Sequence, residues 1–449
     1  MRIRGKKERL FLFLGDIVIL YLSLFLTLCV RNGGWPEEGD WVLHFAPFSI
    51  LFVVWILVYF IAGLYEKHTL ILKSRLSTII LNAQITNIFL SIGFFYFIGY
   101  FSITPKTNLF IFLVISSVLV FFWRNYGHGL FGVKRRQNAI LIGSGNEVKE
   151  IVEEVNQNQS YDLRFISSLD IEAIRQVDLQ GEFIQRIYSE DVSVIAIDLQ
   201  HDKVEPLLPH LYNLIFSKVR FMDMHKIYED IFDRIPLSLL RYTWFLENIS
   251  LSPSPVYDFL KRLMDIVLSL LLGILSLLVY PFVYVAMKLD DGGPLFSVQE
   301  RVGQNNNSIK LFKFRTMRNP NDGGAWGGGD ENVVTRVGAF LRKTRIDELP
   351  QLWNVVHGDI SLIGPRPEFR AAVKQYESEI PYFSVRHLVK PGLSGWAQIY
   401  GEHPHHGVDL DKTKNKLSYD LYYIKNRSFL VDLKIALRTL QKLVSRSGI

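Results

Sequence analysis

The sequence predicts a multidomain α/β membrane protein: a four-helix transmembrane bundle, a Rossmann-like α/β domain, and a C-terminal α/β domain with a re-entrant membrane helix. Three observations carry this expectation. Four N-terminal apolar runs each approach the roughly 20 residues that cross a hydrocarbon core. Short apolar strands then alternate with polar helical patterns, and a fifth run rich in Leu, Val and Ile precedes a stretch dense in charged motifs. The expected boundaries are 1–130 for the bundle, 131–225 for the middle domain, 226–255 for a linker and 256–449 for the last domain.

Composition agrees. At roughly 150 residues per domain, 449 residues suggest about three domains. With 49% hydrophobic and 21% charged residues and a mean hydropathy of +0.16, the chain is neither disordered nor highly solvated. The net charge of +6 is modest, so its placement matters more than its size. A lone cysteine, Cys29, excludes an internal disulfide framework and a Cys-rich zinc site.

The first run, Leu10–Val30, follows the basic start Arg2, Arg4, Lys6, Lys7 and Arg9. It is too long for a signal-peptide core and no small-x-small cleavage site follows, so it reads as an uncleaved span. The other runs are Phe45–Leu64, Ile79–Phe101 and Leu109–Trp123. Arg31–His44 is acidic through Glu37, Glu38 and Asp40, whereas Glu66–Leu76, with Lys67, Lys73 and Arg75, and Arg124–Arg136 are basic. The positive-inside rule then places both ends of the bundle in the cytoplasm. Asp16, inside the first span, reads as a structural polar contact in preference to a proton or substrate site.

Beyond Arg136, strands are expected at Asn138–Ile142, Arg164–Ser168, Val192–Asp198 and Val219–Asp223, with helical patterns such as Glu147–Asn156 and Val204–Phe216 between them. The turn Gly143-Ser144-Gly145-Asn146-Glu147-Val148 has the position of a dinucleotide fingerprint, but Val148 replaces its third glycine. A structural module is therefore preferred to a cofactor-binding one. Lys226–Pro255, with three prolines, reads as the connector. Leu263–Leu289 is long enough to span, yet Lys261 and Arg262 precede it and Lys288 lies near its end. Basic residues on both sides disfavour translocation of either end, and Pro281 offers a bend, so a re-entrant segment over about 261–289 is expected.

Downstream, Lys310–Met317 alternates cationic and apolar residues, so Lys313 and Arg315 share a strand face. Presentation to one anion and a merely solvated face fit equally well. The tract Gly323–Gly329 fits a mobile flap or a linker. Arg336, Val337, Phe340 and Leu341 set a helical stripe with Arg342, Lys343 and Arg345 beside it. Asp347 reads as an N-cap, with Pro350 in the first turn of a new helix. An isolated Asp347-Glu348 pair would be an ordinary acidic cap, but the surrounding cations suit phosphoryl transfer, which needs an anion-neutralising shell. Gly364-Pro365-Arg366-Pro367 mounts one arginine on a stiff turn.

Lys261-Arg262-x-x-Asp265-x-x-x-Ser269, the segment Arg342–Leu352 with its Asp347-Glu348 pair, the Pro365-Arg366-Pro367 turn and Lys390-Pro391-Gly392-Leu393-Ser394-Gly395-Trp396 together resemble the bacterial sugar transferase family, the polyprenyl-phosphate glycosyl-1-phosphate transferases. The resemblance covers about the last 190 residues, and the upstream architecture is similar to that of larger members that start exopolysaccharide, capsule or O-antigen synthesis. It implies that Asp347 attacks the β-phosphate of a UDP-sugar, releasing UMP, and that undecaprenyl phosphate then takes the phosphosugar. It further implies that Glu348 binds Mg²⁺, Arg342 contacts phosphate and Arg366 contacts the nucleotide. Lys261, Arg262, Asp265 and Ser269 match the motif where the lipid phosphate would arrive, with Asp265 expected to pair with a neighbouring cation. The implied partners are a UDP-sugar of glucose or galactose type, undecaprenyl phosphate and membrane lipid, with no nucleic acid. The implied location is the bacterial inner membrane, with the catalytic domain on the cytoplasmic side; a homodimer is left open.

The alternative is a membrane-bound NAD-dependent nucleotide-sugar dehydratase or epimerase, based on the Gly143 turn and the Tyr257-x-x-x-Lys261 spacing. A catalytically silent scaffold is a third class, opposed by intact Asp347, Glu348, Arg342 and Arg366. Over Ser428–Arg446, the stripe Phe429, Leu433, Leu437, Leu440 and Val444 fits a membrane surface or a packed helix, with Lys434, Arg438, Lys442 and Arg446 available to lipid phosphates in the first case. The tract Glu402-His403-Pro404-His405-His406 looks like a metal tract, yet a solvated loop is favoured.

Overall fold

The computed structural model describes residues 6–65, 76–97, 106–126, 136–158, 161, 163–172, 184–217, 219–249, 254–318, 333–401 and 409–445. The basic connector 66–75, residues 127–135, the glycine tract 323–329 and the tract 402–406 lie outside the described residues, as do the end of the third expected run and the side chains of Val444 and Arg446. The chain divides into two compact units, Met1–Ile227 and Tyr228–Ile449.

Four helices long and apolar enough to cross a membrane open the first unit: α1 (Lys6–Asn32), α2 (Glu38–Ile61), α3 (Leu76–Phe97) and α4 (Lys106–Tyr126). Leu20, Leu24, Phe48, Trp55 and Phe112 pack inward, while Leu14, Val18, Val53, Phe89 and Phe110 face outward. A bundle apolar inside and outside is one whose solvent is lipid. Asp16 is a structural contact, as expected. Both Asp16 and Arg124 are fully buried; Arg124 Nε donates to Asp16 Oδ1 at 3.1 Å, Arg124 Nη2 meets Oδ2, and Tyr65 OH donates to Oδ2 at 2.6 Å. Arg124 Nη1 also reaches the Leu64 carbonyl at 2.9 Å. Arg124, counted above with a basic connector, is thus turned inward and ties α4 to α1.

The rest of this unit is a parallel sheet, β1 (Gln137–Gly143), β2 (Leu163–Asp170), β3 (Val192–Ile197) and β4 (Arg220–Asp223), in the order β2-β1-β3-β4. That is the flavodoxin-type winding, whereas the dinucleotide-binding fold begins 3-2-1-4. Ile140, Leu141 and Ile142 are all buried, the unbroken apolar run of a strand covered on both faces. Helix α5 (Asn146–Gln157) follows the glycine turn. Gly145 has φ +91°, and a Cβ on Gly143 would lie 2.6 Å from the Met224 sulfur. Packing and backbone conformation account for both glycines.

Residues 226–255 do more than connect. They carry most of α6 (Met224–Phe232) and all of α7 (Tyr242–Asn248), and Ile235, Leu240 and Trp244 are buried in one core with Trp396, Leu417, Leu421 and Ile435. The prolines set turns, but the apolar residues between them fill the second unit's core. There, α8 (Pro255–Leu277) and α9 (Tyr280–Asp290) meet at a 51° bend. Pro281 sits in the first turn of α9, where its missing N–H and its ring leave the Leu277 carbonyl unbonded from that side. Helix α8 is amphipathic in the reverse sense: Asp265, Ser269, Gly273 and Ser276 are buried, while Leu263, Val267, Leu271, Ile274, Leu275 and Leu278 are exposed. Small and polar residues let the helix approach the protein, as Gly273 approaches Trp353, and the large apolar ones face outward.

The remaining scaffold is an antiparallel hairpin, β5 (Phe296–Val302) with β6 (Ser308–Phe314), then α10 (Arg336–Thr344), α11 (Gln351–His357), the short strand β7 (Ser361–Ile363), α12 (Arg370–Glu379), β8 (Gly392–Ser394) parallel to β7, α13 (Leu410–Asn426) and α14 (Phe429–Ser445). Helix α14 packs through Asp432 and Ile435 and turns Leu430, Leu440 and Leu443 outward. Its cations stay on the protein: Lys434 lies over Trp396 and Tyr400, Arg438 donates to Gln441, and Lys442 donates to the Gln398 and Ile399 carbonyls.

Removing one member of the buried Asp16–Arg124 pair strands the other in an apolar bundle. Arg124→Leu is expected to cost about 3–5 kcal/mol, read as the shift in the unfolding curve in detergent, with Asp16→Asn added to it restoring part of the loss.

Candidate active site

Three segments of the second unit meet around two adjacent carboxylates. Helix α10 is N-capped by Thr335, whose Oγ1 accepts from Gly338 N at 2.9 Å, and Gly338 lies so close to the Thr316 backbone that a Cβ would clash. The helix ends at Arg345 in the left-handed conformation, φ +58°. A single 3₁₀ turn, Ile346–Glu348, then intervenes before α11, whose N-cap position is Pro350 with no side-chain cap. Asp347 is therefore not the N-cap expected from the sequence, because the left-handed turn at Arg345 inserts residues before the next helix begins. Its carboxylate is left for other uses: Asp347 is 8% exposed, and Oδ1 is buried with no hydrogen-bond partner among the described residues.

The two carboxylates are treated in opposite ways. Burial, reinforced by the charge of Glu348, raises the Asp347 pKa against the opposing pull of Lys313, Arg342 and Arg345. Burial acts on Glu348 too, but Arg366 and then Lys313 outweigh it and hold its pKa well below the ordinary carboxylate range. The geometry explains the difference: Glu348 Oε1 accepts from Arg366 Nη2 at 2.6 Å and from Lys313 Nζ at 3.4 Å. Environments that push two neighbouring carboxylates apart in this way assign them different roles.

Lys313 and Arg315 do not converge on one anion. Lys313, at the end of β6, faces Glu348, whereas Arg315 lies past the strand, 2% exposed, with both terminal nitrogens on Asp291 and further bonds to the Pro294 and Met317 carbonyls. Strand alternation stops at Phe314, so the shared face ends there. Arg342 Nε donates to Thr316 Oγ1 at 2.9 Å, and its charge acts on Asp347. Arg366 projects from a turn in which three glycines let backbones touch: Gly364, Gly392 and Gly395 each lie within 3 Å of backbone where a Cβ would stand. The two motifs separated in sequence, 364–367 and 390–396, are one packed unit.

The charged motif at the start of α8 points into the protein. Lys261 Nζ donates to Asp432 at 2.9 Å and to the Ile363 carbonyl at 2.9 Å. Arg262 donates to the Val355 and Val356 carbonyls, closing the C-terminus of α11, and Asp265 Oδ1 accepts from Leu362 N at 3.0 Å. Ser269 Oγ is buried without a partner among the described residues. Asp265 thus holds strand backbone with the charge of Lys261 acting on it, and Lys261, Arg262 and Asp265 dock α8 on the body that bears the carboxylates. Tyr257 also donates to Asp432, so the Tyr257-x-x-x-Lys261 spacing serves α14.

Two contributors were not foreseen. Asn354 grips β6 by accepting from Phe312 N and donating to the Lys310 carbonyl, which fixes the strand that carries Lys313. Arg301 lies over the Phe369 ring at 3.3 Å and donates to the Pro367 carbonyl. The reversed alternation of β5, apolar Phe296 and Val298 outward and Gln299 and Arg301 inward, was the available signal. Among the described residues, no three His, Cys, Asp or Glu side chains converge as a metal-binding group.

A carboxylate pair set among cations, on a unit whose bent helix turns its apolar face outward, is the chemistry of a membrane-associated protein that handles anionic ligands. The family model described as bacterial sugar transferase matches residues 256–446. The UDP-N-acetylgalactosamine-undecaprenyl-phosphate N-acetylgalactosaminephosphotransferase of Aeromonas hydrophila is 44% identical over 203 residues, 44% of this chain and 47% of that relative. The UDP-glucose:undecaprenyl-phosphate glucose-1-phosphate transferase of Escherichia coli is 39% identical over 198 residues, 42% of each chain. A sugar transferase of Bacillus subtilis, EpsL, is 38% identical over 190 residues, 42% of this chain and 90% of that relative. The matches span less than half of the first two relatives and nearly all of the third. The chain belongs to the bacterial sugar transferase family.

Because its pKa is raised in the folded protein, ionised Asp347 opposes folding: its contribution to stability falls as pH rises through the ordinary aspartate range and stays low above the raised value. Asp347→Asn is therefore expected to leave the unfolding midpoint near pH 7 unchanged or higher, whereas Glu348→Gln, which removes the counter-charge of Arg366 and Lys313, lowers it. Thermal unfolding of both variants checks the signs.

Proposed function

We propose that this protein transfers a sugar-1-phosphate from a UDP-sugar to undecaprenyl phosphate, forming an undecaprenyl-diphosphate-sugar as the first membrane step of a polysaccharide. The observation that carries this reading is the buried Asp347 oxygen with no donor among the described residues, beside a Glu348 that Lys313 and Arg366 neutralise. An Asp347 oxygen attacks the β-phosphorus, the bond from that phosphorus to the bridging oxygen breaks, and UMP leaves with the bond's electrons. A phosphate oxygen of undecaprenyl phosphate then attacks the same phosphorus and releases the Asp347 carboxylate. A carboxylate nucleophile divides one transfer between two bulky anions into two steps. Lys313, Arg342 and Arg366 offset the repulsion between that carboxylate and the arriving phosphates.

The donor set fits Mg²⁺, an ion that takes one or two carboxylates and completes its shell with phosphate oxygens and water. Glu348, with the unpartnered Asp347 oxygen beside it, would hold it, and the bound ion supplies further positive charge to the phosphates. The donor is read as a UDP-hexose of glucose or galactose type; the name of the Aeromonas hydrophila relative brings N-acetylgalactosamine into the same panel. Membrane lipid is the third partner. The outward apolar faces of α8 and α14 and the bend before Pro281 support a re-entrant helix, with the catalytic unit on the cytoplasmic face of the inner membrane.

Purified protein with undecaprenyl phosphate and Mg²⁺ is expected to release UMP from one member of a UDP-sugar panel. Asp347→Asn abolishes this release, and mass spectrometry of the wild type incubated with donor alone finds the phosphosugar on Asp347. Undiminished turnover by the variant removes Asp347 as nucleophile. For the membrane path, Lys288→Cys in a Cys29→Ser background is expected to react with an impermeant thiol reagent only from the cytoplasmic side. Labelling from outside contradicts the re-entrant course.

A further inference from the structure

The turn that carries Arg366 contains two prolines, so it offers few N–H groups with which to hold itself. Four consecutive carbonyls are held from outside instead. Pro365 O accepts from Gly392 N at 2.9 Å and Glu368 O from Val302 N at 2.9 Å, both backbone donors. Between them, Arg366 O accepts from Arg386 Nη2 at 2.9 Å and Pro367 O from Arg301 Nη1 at 3.2 Å. Arg386 is 2% exposed and is itself fixed by Asp420, whose Oδ2 accepts from Nε at 3.0 Å and Nη2 at 2.8 Å. Its Nη1 lies 3.8 Å from Glu368, which also pairs with Lys416. Arg301 is braced by Gln299 at 2.8 Å and by the face of Phe369.

A buried cation and a half-buried one next to a cationic site add repulsion, so their presence calls for a return. We infer that Arg386 and Arg301 are positioning residues that clamp the 365–368 backbone and thereby aim Arg366 at Glu348 and at the phosphates of the donor. A guanidinium suits this task because its fork serves a carboxylate and a carbonyl together, whereas an ammonium is a point donor. The clamp acts on the transfer reaction only if Arg366 faces substrate, so its role in turnover rests on the function proposed above.

Arg386→Lys keeps the charge opposite Asp420 and gives up the shared carbonyl bond. Two measurements on the full chain in detergent test the inference. Hydrogen exchange of the peptide covering 364–369 is expected to speed up in Arg386→Lys, with the unfolding midpoint near that of the wild type, and this measurement needs no activity. In the UMP-release assay, kcat/KM is expected to fall about tenfold or more, as misplacement of a substrate-orienting group does, while the same change in an Arg366→Lys background costs less than about twofold because the two act as a unit. Arg301→Lys provides the same test from the other carbonyl should Arg386→Lys fail to fold. Unchanged exchange, wild-type turnover, or equal losses in both backgrounds overturn the clamp. Wild-type protein that releases no UMP from any donor defeats the transferase reading, and the exchange result then still decides whether the clamp exists.

Discussion

The second unit is organised around the bond between Glu348 and Arg366. It joins the turn after α10 to the 364–367 segment, and Lys313 at the end of β6 completes the contact. Taking three charged groups partly out of water is costly, and opposite charges meeting at hydrogen-bonding distance offset that cost. By absorbing two cations, Glu348 leaves Asp347 buried, beside a like charge and with one oxygen that has no donor among the described residues. The same arrangement that secures one carboxylate leaves an oxygen of the other without a hydrogen-bond partner among the described residues.

The surrounding architecture serves to hold those segments in register. Asn354 fixes β6, the glycines at 364, 392 and 395 let β7 and β8 approach, and Lys261, Arg262 and Asp265 lock α8 to the same body. Helix α8 thus has two unlike faces: charged and small side chains toward the protein and bulky aliphatic ones away from it. The helix thereby joins the body that bears the two carboxylates to an outward apolar face. In the first unit the Asp16–Arg124 pair, bonded also to Tyr65, performs a comparable locking function between α1 and α4.

Much of this was legible because it depends on local or cumulative signals. Helix length and hydropathy mark the four spans, apolar runs mark the central strands β1 and β3, and Pro281 marks the bend in the fifth apolar run. The density of cations around Asp347 and Glu348 pointed to an anion site without any structure. Several partners lie too far along the chain to be read locally. Arg315 belongs to Asp291, Lys261 to Asp432 and Arg124 to Asp16. Residues 226–255 looked like a connector because prolines are visible in a sequence and the core that Trp244 enters is not.

By itself, then, the amino-acid order determined which stretches prefer lipid, which form strands and helices, and which residue types are available for phosphate chemistry, since hydrophobicity, periodicity and proline act over a few residues. Tertiary structure alone decided which cation neutralises which carboxylate. That choice depends on distances across segments separated by tens to hundreds of residues, and in a site of low polarisability a difference of a few ångströms separates a neutralised glutamate from an unpartnered aspartate.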